Sequence, residues 1–336
     1  MAPTRWPVAR IDTLGDLAEW LELDAGQLAW LADRRGLERT VAAEKLRNYR
    51  YGLLPRPGGV PRMLERPKRR LKEVQRSILR GILDAIPPHD AAHGFTRGRS
   101  AVTHAQAHER KRLLLRFDVE DFFCSVAAGR AYGIFRTAGY PESVAHALTA
   151  LCTNVVPHEE WARVAPPREP WLLARYRRLE RRLATPHLPQ GSPSSPALAN
   201  LCAFRLDVRL AGLAASVGAA YTRYADDLAL SGDDRLRSVQ HVVGEIAADE
   251  GFRLNERKSQ LMTRAGRQLI TGIVVNEHAN LVRPEFDRLK ATLHRAERNG
   301  PGALDRAHVL GRIAWVEQLN PGRGAKLRER FERIAW

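Results

Sequence analysis

Two aspartates in direct succession, Asp226-Asp227, stand between the short runs Ala220-Tyr221-Thr222-Arg223-Tyr224-Ala225 and Leu228-Ala229-Leu230-Ser231. This pattern predicts a hairpin with both carboxylates in its turn. A third aspartate, Asp118, ends the strand-like run Leu113-Leu114-Leu115-Arg116-Phe117, 108 residues before Asp226. Only tertiary folding can bring the three together. The chain order of strand, helices, hairpin, helix and strand fits a split β-α-β-β-α-β sheet, in which the first strand neighbours the central hairpin. Taken singly, an Asp-Asp pair is ordinary turn chemistry and Asp118 an ordinary helix cap. Taken together they form a cluster that repels itself unless cations bind it. Two Mg²⁺ ions ~3.5–4 Å apart suit such a set, one activating an attacking hydroxyl and the other stabilising a leaving pyrophosphate.

The charge balance points to the partner. Lys plus Arg number 54 against 38 Asp plus Glu, a net charge of +16, and 47 of the basic residues are Arg. Arg grips phosphate bidentately and stacks on bases, so the excess fits a nucleic-acid partner. With 336 residues, 44% of them hydrophobic, the chain can bury two or more packed subdomains, which excludes wholesale disorder. Cys124, Cys152 and Cys202 are far apart and in apolar contexts, indicating neither a disulfide framework nor a zinc site. No apolar run approaches the ~20 residues of a membrane span, and the first residues lack the apolar core of a signal peptide. The expectation is a cytoplasmic protein with reduced thiols and no membrane contact.

Residues 1–50 read as a helical module, with Thr13 and Asp16 forming a capping box before Leu14, Leu17, Trp20 and Leu21, and Asp24 capping Leu28, Trp30 and Leu31. Over 51–67, Pro55, Pro57, Gly58 and Gly59 separate two arms of a predicted hairpin with basic residues, and a long helix runs from Leu71 to Leu83. Helices are expected over 127–152, 197–213 and 235–250, and strands near 252–255 and over 269–276. Residues 154–187, rich in Pro and carrying seven Arg, read as an inserted arm. The tail is helical, broken at Asn299-Gly300-Pro301-Gly302 and Asn320-Pro321-Gly322. Trp30, Trp161 and Trp171 are expected as core anchors.

Four blocks stand in order: His93-Gly94-Phe95 with Arg97-Gly98-Arg99-Ser100, Phe117-Asp118-Val119-Glu120-Asp121-Phe122-Phe123, Leu188 to Pro196, and Tyr224-Ala225-Asp226-Asp227. Together they resemble a reverse transcriptase, and along nearly the whole chain the bacterial retron-type reverse transcriptases. Ser192 and Ser194 stand where that family has Ala and Thr. Asn154-Val155-Val156-Pro157-His158 resembles its Asn-Ala-x-x-His element with Val for Ala, and Ile270-Thr271-Gly272 its Val-Thr-Gly.

The resemblance implies an α+β right-hand polymerase. Behind the module 1–50 come fingers (51–112), a ferredoxin-like palm with finger elements and the insertion 154–187 (113–276), and a helical thumb (277–336). It implies an RNA-directed DNA polymerase that uses deoxynucleoside triphosphates and two Mg²⁺ ions, with Mn²⁺ as a substitute. The partners would be a cognate structured non-coding RNA, its DNA product and a retron effector protein. Synthesis from a guanosine 2′-hydroxyl would give branched, RNA-linked multicopy single-stranded DNA used in antiphage defence. The rival readings are a reverse transcriptase of a diversity-generating or abortive-infection system, and a nucleic-acid-binding scaffold for an effector.

The residue roles carried by the resemblance begin with Asp118, Asp226 and Asp227 as catalytic metal ligands, joined by the Val119 carbonyl, with Asp227 nearest the periphery. Phe123 would pack under the incoming sugar and exclude a 2′-hydroxyl, while Phe122 belongs to the core. Gln190 would lie against nucleotide and template, Arg56 and Arg62 on the finger hairpin would hold the triphosphate, and Lys258 would protonate pyrophosphate. Tyr224, Arg97 and Arg99 are expected at primer and template. Arg175, Arg177, Arg178, Arg181 and Arg182, spaced for one helix, are expected to form an RNA-binding face.

Overall fold

The computed structural model describes residues 1–41 and 43–336. They fall into two compact units, each discontinuous in sequence. The first comprises Met1–Asp90, Val119–Val208 and Ala247–Arg253, and the second Ala91–Asp118, Arg209–Ile246 and Leu254–Trp336.

The first unit opens with the helices Leu14–Trp20 and Ala25–Leu31, each begun by a complete capping box, Thr13 with Asp16 and Asp24 with Gln27. Strands β1 (Tyr49–Leu54) and β2 (Arg62–Pro67) pair antiparallel from Tyr49↔Pro67 to Leu54↔Arg62, leaving 55–61 as the loop. The helix Arg69–Gly81 buries Leu71, Val74, Gln75 and Ile78, an i, i+3, i+4, i+7 stripe. The helical stretch expected over 127–152 is two helices, Ala128–Thr137 and Glu142–Cys152. Gly139 separates them at φ +94°, and a Cβ there would meet the Ala2 carbonyl at 2.6 Å.

The segment 154–187 does not project. Its helix Pro170–Leu183 buries Leu172, Tyr176, Leu179 and Leu183 in one cluster with Val60, Met63, Cys124, Val156, Trp161 and Val164, so it packs on the β1–β2 hairpin. Of the three tryptophans expected in the core, Trp161 alone is an anchor there. Trp30 and Trp171 stay 41% and 40% exposed, because each lies off the buried stripe of its helix.

The second unit holds a four-stranded antiparallel sheet of β3 (Leu113–Asp118), β4 (Ala220–Tyr224), β5 (Asp227–Gly232) and β6 (Gln260–Thr263), in the order β4-β5-β3-β6. That is the order of a split β-α-β-β-α-β sheet, so the fold is α+β with a ferredoxin-like palm. The last strand lies later than the expected 252–255. There the Asn255 amide is spent on the Asp118 carbonyl at 2.7 Å, and the chain turns through Glu256–Lys258 before pairing with β3. The strand expected over 269–276 is likewise broken into β7 (Leu269–Ile270) and β8 (Ile273–Val274). Thr271 and Gly272 between them have φ of 46° and 82°, which turns the chain back on itself; β9 (Asn280–Leu281) completes this small sheet. The tail helices Arg283–Asn299, Arg306–Leu319 and Pro321–Glu332 share a core of Leu289, Leu293, Ile313, Val316, Leu327 and Phe331. No helix of the described residues is long and apolar enough to cross a membrane.

Candidate active site

The sheet register brings the aspartates together. Asp118, last in β3, pairs directly with Asp227, first in β5, so their side chains share a face. Tyr224 also pairs with Asp227, which makes Ala225-Asp226 the two-residue turn and places Asp227 on the strand beside it. Ala225 has φ 55°, a conformation that favours glycine. The His93-Gly94 block holds this turn in place: the Arg223 amide donates to Ala91 O and the His93 amide to Arg223 O, both at 2.7 Å. A Cβ on Gly94 would lie 2.5 Å from the Ala225 nitrogen, so only glycine allows this approach. The fully buried Arg223 reaches forward and donates from Nη1 to Ala225 O at 3.1 Å.

Two cations meet the carboxylates. Lys258 Nζ lies 2.8 Å from Asp118 Oδ2, and Asn255 Nδ2 donates to Oδ1 of the same carboxylate at 3.4 Å. Arg116 stands two residues before Asp118 on the same strand face, and its Nη2 lies 3.0 Å from Asp227 Oδ1. Asp226 occupies the turn itself. Burial first, and then the charges of Asp118 and Asp227, push its pKa above the usual carboxylate range, with Lys258 opposing. Sequence reasoning missed Arg116 and Asn255. The period-2 face of β3 was the available signal for Arg116, and for Asn255 there was only its nearness in sequence to Lys258.

Tyr224 is half-buried, its ring 5.9 Å from that of His104. Arg97 is exposed and Arg99 half-buried, in the loop after Phe95, with Arg99 Nη1 3.4 Å from His93 Nε2.

The other expected residues belong to the first unit, as does Val119, the next residue after Asp118. Phe122 is buried against Phe252, while Phe123 is half-buried. Arg56 is half-buried in the β1–β2 loop. With its amide oxygen turned toward the cation, Gln190 accepts from Arg62 Nε and Nη1, both at 3.2 Å. Ser192 donates to Gln75 Oε1 at 2.7 Å and lies 2.9 Å from Ser194 Oγ, which gives the two departures from the family pattern a shared use.

The arginines of helix Pro170–Leu183 divide. Arg175 lies 3.3 Å from Asp121, Arg178 lies 3.1 Å from Glu120, and Arg182 donates to Glu120 O at 3.1 Å. They compensate the two acids that follow Asp118 in the chain. Arg177 and Arg181 are exposed.

The donor set of the second unit is all oxygen, which suits a hard divalent cation. Among the described residues, the mixed trio whose ligand atoms lie within 4.8 Å of one another is Glu65, Cys124 and His187, in the first unit.

The model of the family described as reverse transcriptase (RNA-dependent DNA polymerase) matches residues 54–304. The chain is 38% identical to the retron Mx65 reverse transcriptase of Myxococcus xanthus over 85% of this chain and 65% of that protein. It is 31% identical to the retron Mx162 reverse transcriptase of the same organism, over 94% of this chain and 66% of that protein. The chain thus spans about two thirds of the length of these two relatives. With the retron Ec86 reverse transcriptase of Escherichia coli it shares 32% identity over 80% of this chain and 75% of that protein. Among solved structures it is similar, at a TM-score of 0.43 and 13% identity over 98% of this chain and 46% of the other, to the foamy viral protease-reverse transcriptase dRH in complex with ds DNA. The extent of the family match and the identity to the Escherichia coli relative place this chain in the reverse transcriptase family, among the bacterial retron-type members.

Proposed function

We propose that the chain is an RNA-directed DNA polymerase that copies a cognate structured non-coding RNA from deoxynucleoside triphosphates, giving branched, RNA-linked single-stranded DNA in a retron antiphage system with an effector partner. The observation that carries the polymerase reading is the register pairing of Asp118 with Asp227 beside the Ala225-Asp226 turn. Membership of the retron-type family, with the net charge of +16, supports the RNA partner. The three cysteines are buried and free, in keeping with a cytoplasmic setting.

Asp118, Asp226 and Asp227 fit Mg²⁺, since an oxygen donor set with the Asp226 pKa raised by burial and then by its two charged neighbours is a site that added positive charge relieves. By resemblance the Val119 carbonyl adds a donor, and Mn²⁺ can substitute. The bound ions would supply Lewis acidity toward the attacking hydroxyl and the leaving phosphates. The chain's own groups do the rest. Lys258, 2.8 Å from Asp118, is the cation at hand to protonate pyrophosphate. Arg116 holds Asp227 in place. Phe123, Gln190, Arg56 and Arg62 would bind the nucleotide, with Tyr224, Arg97 and Arg99 at primer and template.

The test is to isolate the protein from its host with its bound nucleic acid. Ribonuclease should leave one discrete DNA species, and a debranching enzyme specific for 2′–5′ linkages should alter its 5′ end. Heterogeneous DNA, or an ordinary 3′-primed junction, would defeat the retron product while leaving the polymerase; no incorporation of deoxynucleotides would defeat both.

A further inference from the structure

Glu65 on β2 is completely buried and sits at the centre of a polar network inside the first unit. Its Oε1 lies 2.9 Å from His187 Nε2, and its Oε2 accepts from Asn154 Nδ2 at 2.8 Å. His187 Nδ1 faces the Thr185 carbonyl at 2.7 Å, so both ring nitrogens are engaged. Asn154 and His187 also exchange backbone hydrogen bonds, at 2.9 and 3.0 Å. Asn154 Nδ2 reaches Tyr51 Oη at 3.1 Å, and that hydroxyl donates to Glu38 at 2.7 Å. Burial alone would hold His187 neutral, but the Glu65 carboxylate outweighs it and raises the imidazole well above its ordinary value.

The main chain of the same residue grips the turn that carries Gln190. The Glu65 amide donates to Gln190 O at 2.9 Å, and a Cβ on Gly191 would lie 2.7 Å from the Glu65 carbonyl. Gln190 in turn meets Arg62, three residues before Glu65 on the same strand. A buried ion pair contributes little net stability but penalises wrong arrangements strongly. A one-residue slip of β2 would turn Glu65 to the opposite face and leave His187 and Asn154 without their acceptor.

Resting on the reading that Gln190 and Arg62 bind nucleotide, we infer that Glu65, held by His187 and Asn154, is a positioning residue that fixes the Leu188–Pro196 turn on the finger hairpin, so that Gln190 and Arg62 meet the incoming triphosphate as one preassembled unit.

The test is single-nucleotide incorporation by the full-length protein on its copurified nucleic acid. Gln190→Ala and Arg62→Ala examine the underlying reading, and a KM for the deoxynucleotide unchanged in both would remove it. Given that these raise KM, Glu65→Ala should raise it about tenfold with kcat within about threefold, the signature of weakened nucleotide binding. Glu65→Gln, which restores an acceptor, should recover KM to within about threefold of the parent. Combining Glu65→Ala with Gln190→Ala should add little, because the two changes disable one unit. An unchanged KM for Glu65→Ala, a fall in kcat alone, or full additivity would overturn the inference while leaving Gln190 as a nucleotide contact. If Glu65→Ala does not fold, His187→Gln carries the same KM-against-kcat comparison with the same outcomes. About one equivalent of zinc in the purified protein would also overturn it, since a metal across Glu65, Cys124 and His187 would then hold the turn.

Discussion

Arg116 and Asp227 meet at 3.0 Å across the β3–β5 pair, so one of the three carboxylates carries its own counter-charge from the neighbouring strand. Asp226, in the turn, is instead raised by burial and by the charges of Asp118 and Asp227. The three acids are therefore unequal. The Arg116 contact reduces the demand that Asp227 makes on any bound cation, and the Asp226 carboxylate depends on one most.

The first prediction follows from that inequality, with Asp118 set beside Asp226 because its cation, Lys258 at 2.8 Å, is the one proposed above to serve pyrophosphate. Asp118→Asn and Asp226→Asn should each cost several kcal/mol of transition-state stabilisation, on the order of 10³-fold or more in DNA synthesis, by removing a hard-cation ligand. Asp227→Asn should cost about 10–100-fold, the scale of groups that support ligands. RNA affinity should stay near that of the parent in all three. Primer-extension rates beside filter-binding titrations decide this, and an Asp227→Asn variant as inactive as Asp226→Asn would contradict it.

Phe123 is the second case. It is half-buried where Phe122 beside it is buried against Phe252, so of the pair it is the less enclosed and the one to which the proposed sugar contact is assigned. Phe123→Val should admit ribonucleotides, raising the ratio of ribo- to deoxynucleotide incorporation by about 10-fold or more, because steric exclusion by one side-chain wall is worth ~1–3 kcal/mol. Unchanged sugar discrimination would return Phe123 to a packing role.

The third prediction separates arginines on one helix. Neutralising the exposed Arg177 and Arg181 should flatten the slope of log RNA affinity against log salt by ~0.7–0.9 for each phosphate left without its cation, with no change in thermal midpoint. Arg178→Ala strips the buried Glu120 of a partner at 3.1 Å and should instead lower stability by about 1–3 kcal/mol. A salt slope that responds to Arg178→Ala and not to the exposed pair would reverse the assignment.

How far the sequence could be read follows from the kind of signal each element leaves. The β3 strand and the β4–β5 hairpin were legible because apolar runs flank charged ends, and both capping boxes because their partners are three residues apart. The β7–β8 break was not, since Thr271 at φ 46° is a turn residue with no local mark of one beyond Gly272. Arginine spacing on Pro170–Leu183 correctly placed five cations on one helix, yet nothing local could say that Asp121 and Glu120, more than fifty residues earlier, would claim three of them. Glu65, His187 and Asn154 were invisible as a network for the same reason: their contacts span 89 and 122 residues.

The last prediction concerns acid. Against the β4–β5 hairpin, His104 Nδ1 lies 2.6 Å from Thr222 Oγ1, and His108 lies 2.7 Å from the same hydroxyl and 2.6 Å from Ser231 Oγ. Burial lowers His104 to about 2 and His108 to about 3, while burial and the charge of Arg99 lower His93 to about 4. In the unfolded chain each would protonate near the ordinary 6.5. From pH 6.5 down to about 4 for His93, and down to about 3 or lower for His108 and His104, unfolding therefore takes up protons that the folded state refuses, so the stability these groups provide is complete above 6.5 and declines as pH falls. Each contributes a slope of about 1.4 kcal/mol per pH unit across that window. His104 Nε2 has no hydrogen-bond partner among the described residues, so a proton added there would meet no acceptor. Urea midpoints should fall steeply from pH 7 to pH 5, and His108→Gln, which cannot titrate, should reduce the pH dependence by about one proton while lowering stability at pH 7 by about 1 kcal/mol for the altered hydrogen bonds. A pH dependence identical in parent and variant would mean that His108 is protonated in the folded protein.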